Sequence, residues 1–277
     1  MKINRPIFVV GMPRSGSTAL HRVLSKHPDL ATTTHVSRKT PTCYPLLKLI
    51  SLFVRDHKPG EAGTMWDRYV TGDDDVLRAA DVTPDKRRYY TKAVANVLRL
   101  YDRPRFISKC PRNGMRMEFL RAIFPDALFI HLVRDGRAVC RSVLERRERA
   151  GDVNAWWDVR PIGWRQWEKE SPVAAVAQQW RSVVEFVHDV GVTMPPEQYV
   201  EIRYEDFTRD PVELLGRLCA FIGVGWTYDG MREASRNIED RNDKWEKTFT
   251  PGDIAVMNRI MVAPLKKYGY LDANKRV

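Results

Sequence analysis

Ile7-Phe8-Val9-Val10-Gly11-Met12-Pro13-Arg14-Ser15-Gly16-Ser17-Thr18 opens on four apolar residues and ends on hydroxyls. The apolar part reads as a short buried strand, and from Ser17 to Lys26 the residues Ala19, Leu20, Val23 and Leu24 recur at helical spacing. A tight turn holding Gly11 and Gly16 joins the two. Backbone N–H groups in such a turn, and in the first turn of the helix after it, have no intrahelical partner, so they suit phosphate oxygens. Arg14 adds charge, the hydroxyls of Ser15, Ser17 and Thr18 add hydrogen bonds, and the two glycines let the backbone come close to an anion. Gly11, Pro13, Arg14, Ser15, Gly16, Ser17 and Thr18 are thus the expected nucleotide contacts, against the plain alternative of a purely structural turn.

Outward from this unit the pattern repeats. Strands are expected at Arg105 to Lys109, at Ala127 to Val133 and at Tyr199 to Arg203. A helix follows each: one carrying Met115, Phe119, Leu120 and Ile123, one from about Gly136 to Arg149, and one near Val212 to Phe221. Strands alternating with helices predict an α/β fold, a mostly parallel central sheet flanked by helices in a P-loop-like nucleotide-binding arrangement. Ligands of such sheets bind beyond the carboxyl ends of the strands, which points to Gly11–Thr18, Lys109–Asn113 and Arg134–Ser142 together. The whole chain, 1–277, is expected to form one domain with insertions at about 31–96 and 150–170.

The first insertion is less regular, with helices expected at Leu46 to Phe53 and around Tyr89 to Leu100, and the acidic run Asp73-Asp74-Asp75 between them. The second packs Trp156, Trp157, Trp164 and Trp167 into twelve residues ahead of a helix carrying Val173, Val176, Ala177, Trp180, Val183, Val184 and Val187. These tryptophans either wall an acceptor pocket or fill a satellite core. Near the end, Thr250, Pro251 and Asp253 spell a helix start with a capping box.

The charge balance of 46 basic against 35 acidic residues, +11 with histidines neutral, favours anionic partners. No helix-turn-helix, zinc-finger or aromatic RNA-binding pattern accompanies it, so a nucleic-acid partner is not expected. Cys43, Cys110, Cys140 and Cys219 form neither a CxxC nor a Cys/His set, so no metal site and no disulfide framework is expected. With no secretory signal and no apolar run near the roughly 20 residues of a membrane span, a cytoplasmic protein without a transmembrane segment is the expectation. Oligomeric state is not legible, as no pairing helix separates from the core.

The glycine turn departs from the G-x-x-x-x-G-K-[ST] pattern of nucleoside-triphosphate loops by placing Ser17 where the lysine belongs. The lysine that would reach β and γ phosphates is therefore missing. A diverged P-loop kinase or nucleoside phosphatase is one alternative, and a non-catalytic nucleotide- or nucleic-acid-binding protein is another. Arg134, leaving the end of a buried strand, and Ser142 on the next helix can converge on a second anion.

GMPRSGST before a helix resembles the 5′-phosphosulfate loop of the PAPS-dependent sulfotransferases, and LVRDGRAVCRS resembles their 3′-phosphate motif. SKCPRN, FPDALFIHLVRD, YVEIRYEDFTRDP with LCAFIGV, and Lys244-Trp245 followed by KKYGY are similar to further segments in the same order. The likeness is closer to the Golgi-type and bacterial branches than to the cytosolic phenol and steroid branch, and is weakest between Thr34 and Asn96 and across Trp156 to Trp167.

This resemblance implies sulfuryl transfer from 3′-phosphoadenosine 5′-phosphosulfate (PAPS) to a hydroxyl or amine, with release of 3′,5′-ADP and no catalytic metal. Arg14, the loop amides and Lys109 would neutralise the 5′-phosphosulfate, Arg134 and Ser142 would hold the 3′-phosphate, and Lys244 and Trp245 would fold over the nucleotide. Plain readings stand beside these: an exposed Lys109 before a turn, a surface Lys244 and an anchoring Trp245. His35 falls near the position from which the tyrosylprotein branch supplies a glutamate base, so it is the candidate base, with a structural histidine or an acidic group as alternatives. Arg38, Lys39, Arg112 and Asn113 stand near enough in sequence to touch sulfate or acceptor. His21 and His131 read as rim and core histidines, and Tyr204-Glu205-Asp206 as framework. The acceptor can be a small molecule, a carbohydrate, a lipid-linked alcohol or a peptide hydroxyl.

Overall fold

A computed structural model describes residues 3–54, 58–242 and 245–271. The chain runs β1 (Ile7–Val10), α1 (Ser17–Leu24), β2 (Leu30–Thr32), α2 (Tyr44–Phe53), α3 (Gly63–Trp66), α4 (Pro84–Tyr101) and β3 (Arg105–Lys109). Then come α5 (Met117–Ile123), β4 (Leu128–Val133), α6 (Gly136–Arg149), α7 (Pro172–Gly191) and β5 (Tyr199–Arg203). Five helices finish it: α8 (Tyr204–Arg209), α9 (Pro211–Ile222), α10 (Tyr228–Ser235), α11 (Pro251–Ile260) and α12 (Val262–Lys267).

The strands form one sheet in the order β2-β3-β1-β4-β5, and every pairing is parallel. Alternate side chains leave opposite faces of a strand, so each face needs its own helical layer. Phe8, Val10, Phe106, Phe129 and Val133 enter one core, shared with α4, α5, α6, α7 and α11. Ile7, Val9, Ile107, Leu128, Ile130 and Leu132 enter the other, closed by α1, α9 and α10. With β1 in the centre and β3 and β4 beside it, the loops leaving all three emerge at one end of the sheet.

The expected strands at β1, β3 and β5 match residue for residue, and β4 starts one residue later than expected. Strand β2 was not foreseen: its three residues are too few to show a period, and pairing with β3 alone makes it a strand. After β3 the chain first makes a 3-10 turn, Pro111–Arg116, before α5. The start of α11 is as read, since Thr250 Oγ1 accepts from Asp253 N and Asp253 Oδ2 accepts from Thr250 N, each at 3.1 Å.

One buried ion cluster ties both insertions to the segment after β3. Arg116, about 1% exposed, donates to Asp75 Oδ1 at 3.1 Å, to the Asp75 carbonyl at 3.0 Å and to Asp67 Oδ1 at 2.8 Å. Asp75 Oδ2 accepts in turn from the Arg160 backbone N–H at 2.8 Å. Removing one member of such a pair strands a charge without water, which costs more than the pair contributes. Asp75→Ala is therefore expected to destabilise the fold by about 3–5 kcal/mol, read from denaturant midpoints. A loss under about 1 kcal/mol would show that Arg116 finds other partners.

Candidate functional site

The carboxyl end of β1 can turn into α1 only because of two glycines. Gly11 has φ +138°, and a Cβ there would stand 2.5 Å from the Leu132 carbonyl oxygen of β4. Gly16 has φ +91°, and its Cβ would enter the Tyr204 ring. Gly16 is also the N-cap of α1, with no side chain capping the helix and no acidic residue in its first turn. The orphan N–H groups of that turn are open to an anion. Ser15 Oγ is buried without a hydrogen-bond partner among the described residues. A phosphate oxygen is the kind of group that satisfies it.

A cavity of about 910 Å³ opens on this loop, and its wall holds eight Lys or Arg against four Asp or Glu side chains. Arg14, Gly16, Ser17, Thr18, Lys109, Arg134 and Ser142 all line it. Three loops thereby deliver three cations to one place. Arg14, itself at φ +72°, donates from Nε to Ser142 Oγ at 2.9 Å. Arg134 donates to the Arg14 carbonyl at 3.1 Å, the Arg241 carbonyl at 2.7 Å and Asn242 Oδ1 at 2.8 Å, with its guanidinium 4.3 Å above the Tyr204 ring. Burial pushes the Arg134 and Arg14 guanidiniums below their usual range, though both stay cationic. Lys109 is buried and ion-paired with Glu61, which shares the cavity wall.

The remaining sequence-derived residues lie as follows. Gly11 and Ser15 are buried in the turn itself, and Pro13, also buried, borders the cavity. His35 is exposed and outside the cavity wall, although its backbone passes Gly60, next to Glu61. Trp245 is about 9% exposed and packs 4.3 Å from the Arg137 guanidinium, so its indole anchors the last segment and does not line the cavity. Lys244 lies outside the described residues. From the same late loop it is Arg241 that reaches the cavity. Arg38 and Lys39 are exposed, and Arg112 pairs with Asp67 at 3.3 Å.

His21 is buried with Nε2 2.7 Å from Thr32 Oγ1, and burial pushes its pKa down to about 3, so it stays neutral. His131, whose ring lies close to Gly11, belongs to a buried polar hub between β4, β5 and the helices beside them. There Glu201 Oε1 accepts from His131, His188, Tyr199 and Tyr268 at 2.6–3.1 Å. Burial alone would raise the Glu201 carboxyl, but the bonds from His131, Tyr199 and His188 hold it well below the usual range. Glu205 likewise accepts from Tyr270 at 2.6 Å and from the Asp135 backbone, a framework role.

Sequence reasoning missed Glu61 and Asp158, which stand near Lys109 on the cavity wall. Both lie in insertions, where no strand or helix period fixes position; the tryptophans beside Asp158 were the available signal. Of these, Trp157 lines the cavity, while Trp156 packs on Trp164 at 5.0 Å and on Trp167 at 6.3 Å. The cluster is thus both a wall and a satellite core. Among the described residues no group of three or more His, Cys, Asp or Glu is placed to hold a metal ion.

The sulfotransferase family model matches residues 6–228. A protein-tyrosine sulfotransferase of Drosophila melanogaster is 23% identical over 220 residues, covering 79% of this chain and 38% of that protein. The omega-hydroxy-beta-dihydromenaquinone-9 sulfotransferase Stf3 of Mycobacterium tuberculosis is 24% identical over 299 residues, covering 96% and 75%. The crystal structure of the sulfotransferase STF9 from Mycobacterium avium superposes with a TM-score of 0.66 at 17% identity, covering 100% of this chain and 79% of that one. The chain spans well under half the length of the Drosophila protein.

A single methyl group tests the loop. Gly11→Ala is expected to cost about 1–3 kcal/mol in thermal unfolding, because the new Cβ meets both a positive φ and the β4 carbonyl. Unchanged stability would mean the turn re-forms without its close contact to β4.

Proposed function

Since the chain belongs to the sulfotransferase family, we propose that it moves a sulfuryl group from PAPS to an acceptor hydroxyl and releases 3′,5′-ADP. The observation that carries this reading is the meeting of Arg14, Arg134 and Ser142 in one cavity, beside a glycine loop with no loop lysine. A nucleoside triphosphate needs that lysine on its terminal phosphates. A donor phosphorylated at two separate positions needs two anion sites instead. Loop amides, Ser15, Ser17, Thr18 and Arg14 supply the one for the 5′-phosphosulfate; Arg134 and Ser142 supply the one for the 3′-phosphate.

In the transfer, the sulfur passes to the acceptor oxygen as its bond to the 5′-phosphate oxygen breaks, and negative charge collects on that phosphate. Fixed cations aimed at the developing charge stabilise it. Lys109, at the carboxyl end of β3, is placed for this once it exchanges Glu61 for the nucleotide. Hydroxyl acceptors agree with the names of both relatives, which specify a protein tyrosine and an omega-hydroxy-beta-dihydromenaquinone. Four free cysteines, three of them buried, support a reducing compartment such as the cytoplasm. No helix of the described residues is long and apolar enough to cross a membrane.

Calorimetry without added metal tests the reading. 3′,5′-ADP is expected to bind at least about tenfold tighter than ADP or AMP, and Arg134→Ala or Ser142→Ala to erase that preference. Equal binding of ADP would overturn the two-site assignment. Labelled PAPS offered with a tyrosine peptide, a long-chain alcohol and a disaccharide then tests transfer, and Lys109→Ala is expected to lower kcat about 10²–10³-fold.

A further inference from the structure

We propose that Asp158 is the group that takes the proton from the acceptor hydroxyl, so that the tryptophan-rich insertion, and not the segment after α1, supplies the base. The proposal rests on the sulfuryl-transfer reading. Asp158 lines the cavity together with Lys109, Pro111, Glu61 and Trp157, on the side an acceptor would occupy. Its side chain is only 11% exposed. Its backbone sits at φ +66°, a conformation rare for non-glycine residues and concentrated at functional sites. Oδ1 is buried with no hydrogen-bond donor among the described residues, and Arg112 Nε stands 3.7 Å away, beyond hydrogen-bond reach. Arg112 Nη1 pairs with Asp67 at 3.3 Å, while its Nε has no hydrogen-bond partner among the described residues and forms only the long ion pair with Asp158. The carboxylate thus stands on the cavity wall held by one long ion pair and by no hydrogen bond to Oδ1, which leaves it able to accept a proton from an O–H group seated in the cavity.

The charges around Asp158 agree. Burial pushes its carboxyl up to about 6; Arg112 and Lys109 pull it down, while Glu61 and Asp75 push it further up. It is therefore charged at neutral pH and basic enough to accept a proton. Glu61 is a poorer choice, because it is about half exposed and its carboxylate is taken by the lysine needed at the leaving oxygen. His35 is exposed and outside the cavity wall. In the step itself the acceptor O–H bond breaks and its proton goes to the Asp158 carboxylate. The freed electron pair forms the new O–S bond, the bond from sulfur to the 5′-phosphate oxygen breaks, and that oxygen keeps the electron pair beside Lys109.

The experiment compares wild type with Asp158→Asn and Asp158→Glu. In Asp158→Asn, the 3′,5′-ADP Kd is expected to stay within about twofold, while transfer to whichever of the three offered acceptors reacts slows about 10²–10⁴-fold and Asp158→Glu recovers part of it. Because the active form is the carboxylate, the wild-type rate should fall about tenfold per pH unit below about 6, and the residual Asp158→Asn rate should not. Transfer by Asp158→Asn within threefold of wild type, or an unchanged acid limb, overturns the proposal. Carbon-13 titration of labelled aspartates in the 3′,5′-ADP complex, assigned by the signal missing from Asp158→Asn, supplies a readout independent of turnover. A midpoint near 6 supports the assignment, and one near 4, the ordinary aspartate value, overturns it. If the wild type transfers sulfur to no acceptor while that midpoint stands near 6, the failed part is the sulfotransferase reading, and Asp158 keeps its place as a proton-accepting group.

Discussion

Everything at the site depends on how closely the loop after β1 lies against its neighbours. Gly11 passes beneath the Leu132 carbonyl and Gly16 beneath the Tyr204 ring, so the first turn of α1 is pressed into the gap at the end of the sheet. That packing leaves no space for side chains that could cap the helix, and its N–H groups stay available. The parallel sheet then brings the ends of β3 and β4 to the same level, so that Lys109 and Arg134 arrive beside the loop without long connections.

Gathering cations in a half-buried wall is costly unless each has something to hold. Arg134 holds two backbone carbonyls and Asn242, Arg14 holds Ser142, and Lys109 holds Glu61. These partners keep the side chains pointed into the cavity. They are weaker partners than a doubly charged phosphate, apart from Glu61, so an anionic ligand gains by exchange with carbonyl and hydroxyl dipoles.

The legible parts of the sequence were those where one physical signal dominates. Four-residue runs such as Ile7–Val10 are apolar on both faces because helices cover both faces, and the helices betray themselves by period. That Arg134 and Ser142 meet at one cavity was legible because a strand end and a helix face, eight residues apart, fix where each points. The insertions carry no such ruler. Asp158 and Glu61 reach the cavity through tertiary contacts between segments far apart in the chain, and β2 exists only through its pairing with β3. Trp245 was placed by resemblance alone, and its position is set instead by stacking on Arg137.

Arg116 and Asp75 lie at a point where the two irregular segments and the turn after β3 touch. Asp75 comes from the first segment, and its carboxylate also fixes the backbone of Arg160, two residues past Asp158. A first segment lacking a carboxylate at position 75 would leave both Arg116 and the Arg160 backbone short of an acceptor. The two insertions therefore form one mechanical unit at this wall of the cavity, and a change in one is felt by the backbone of the other.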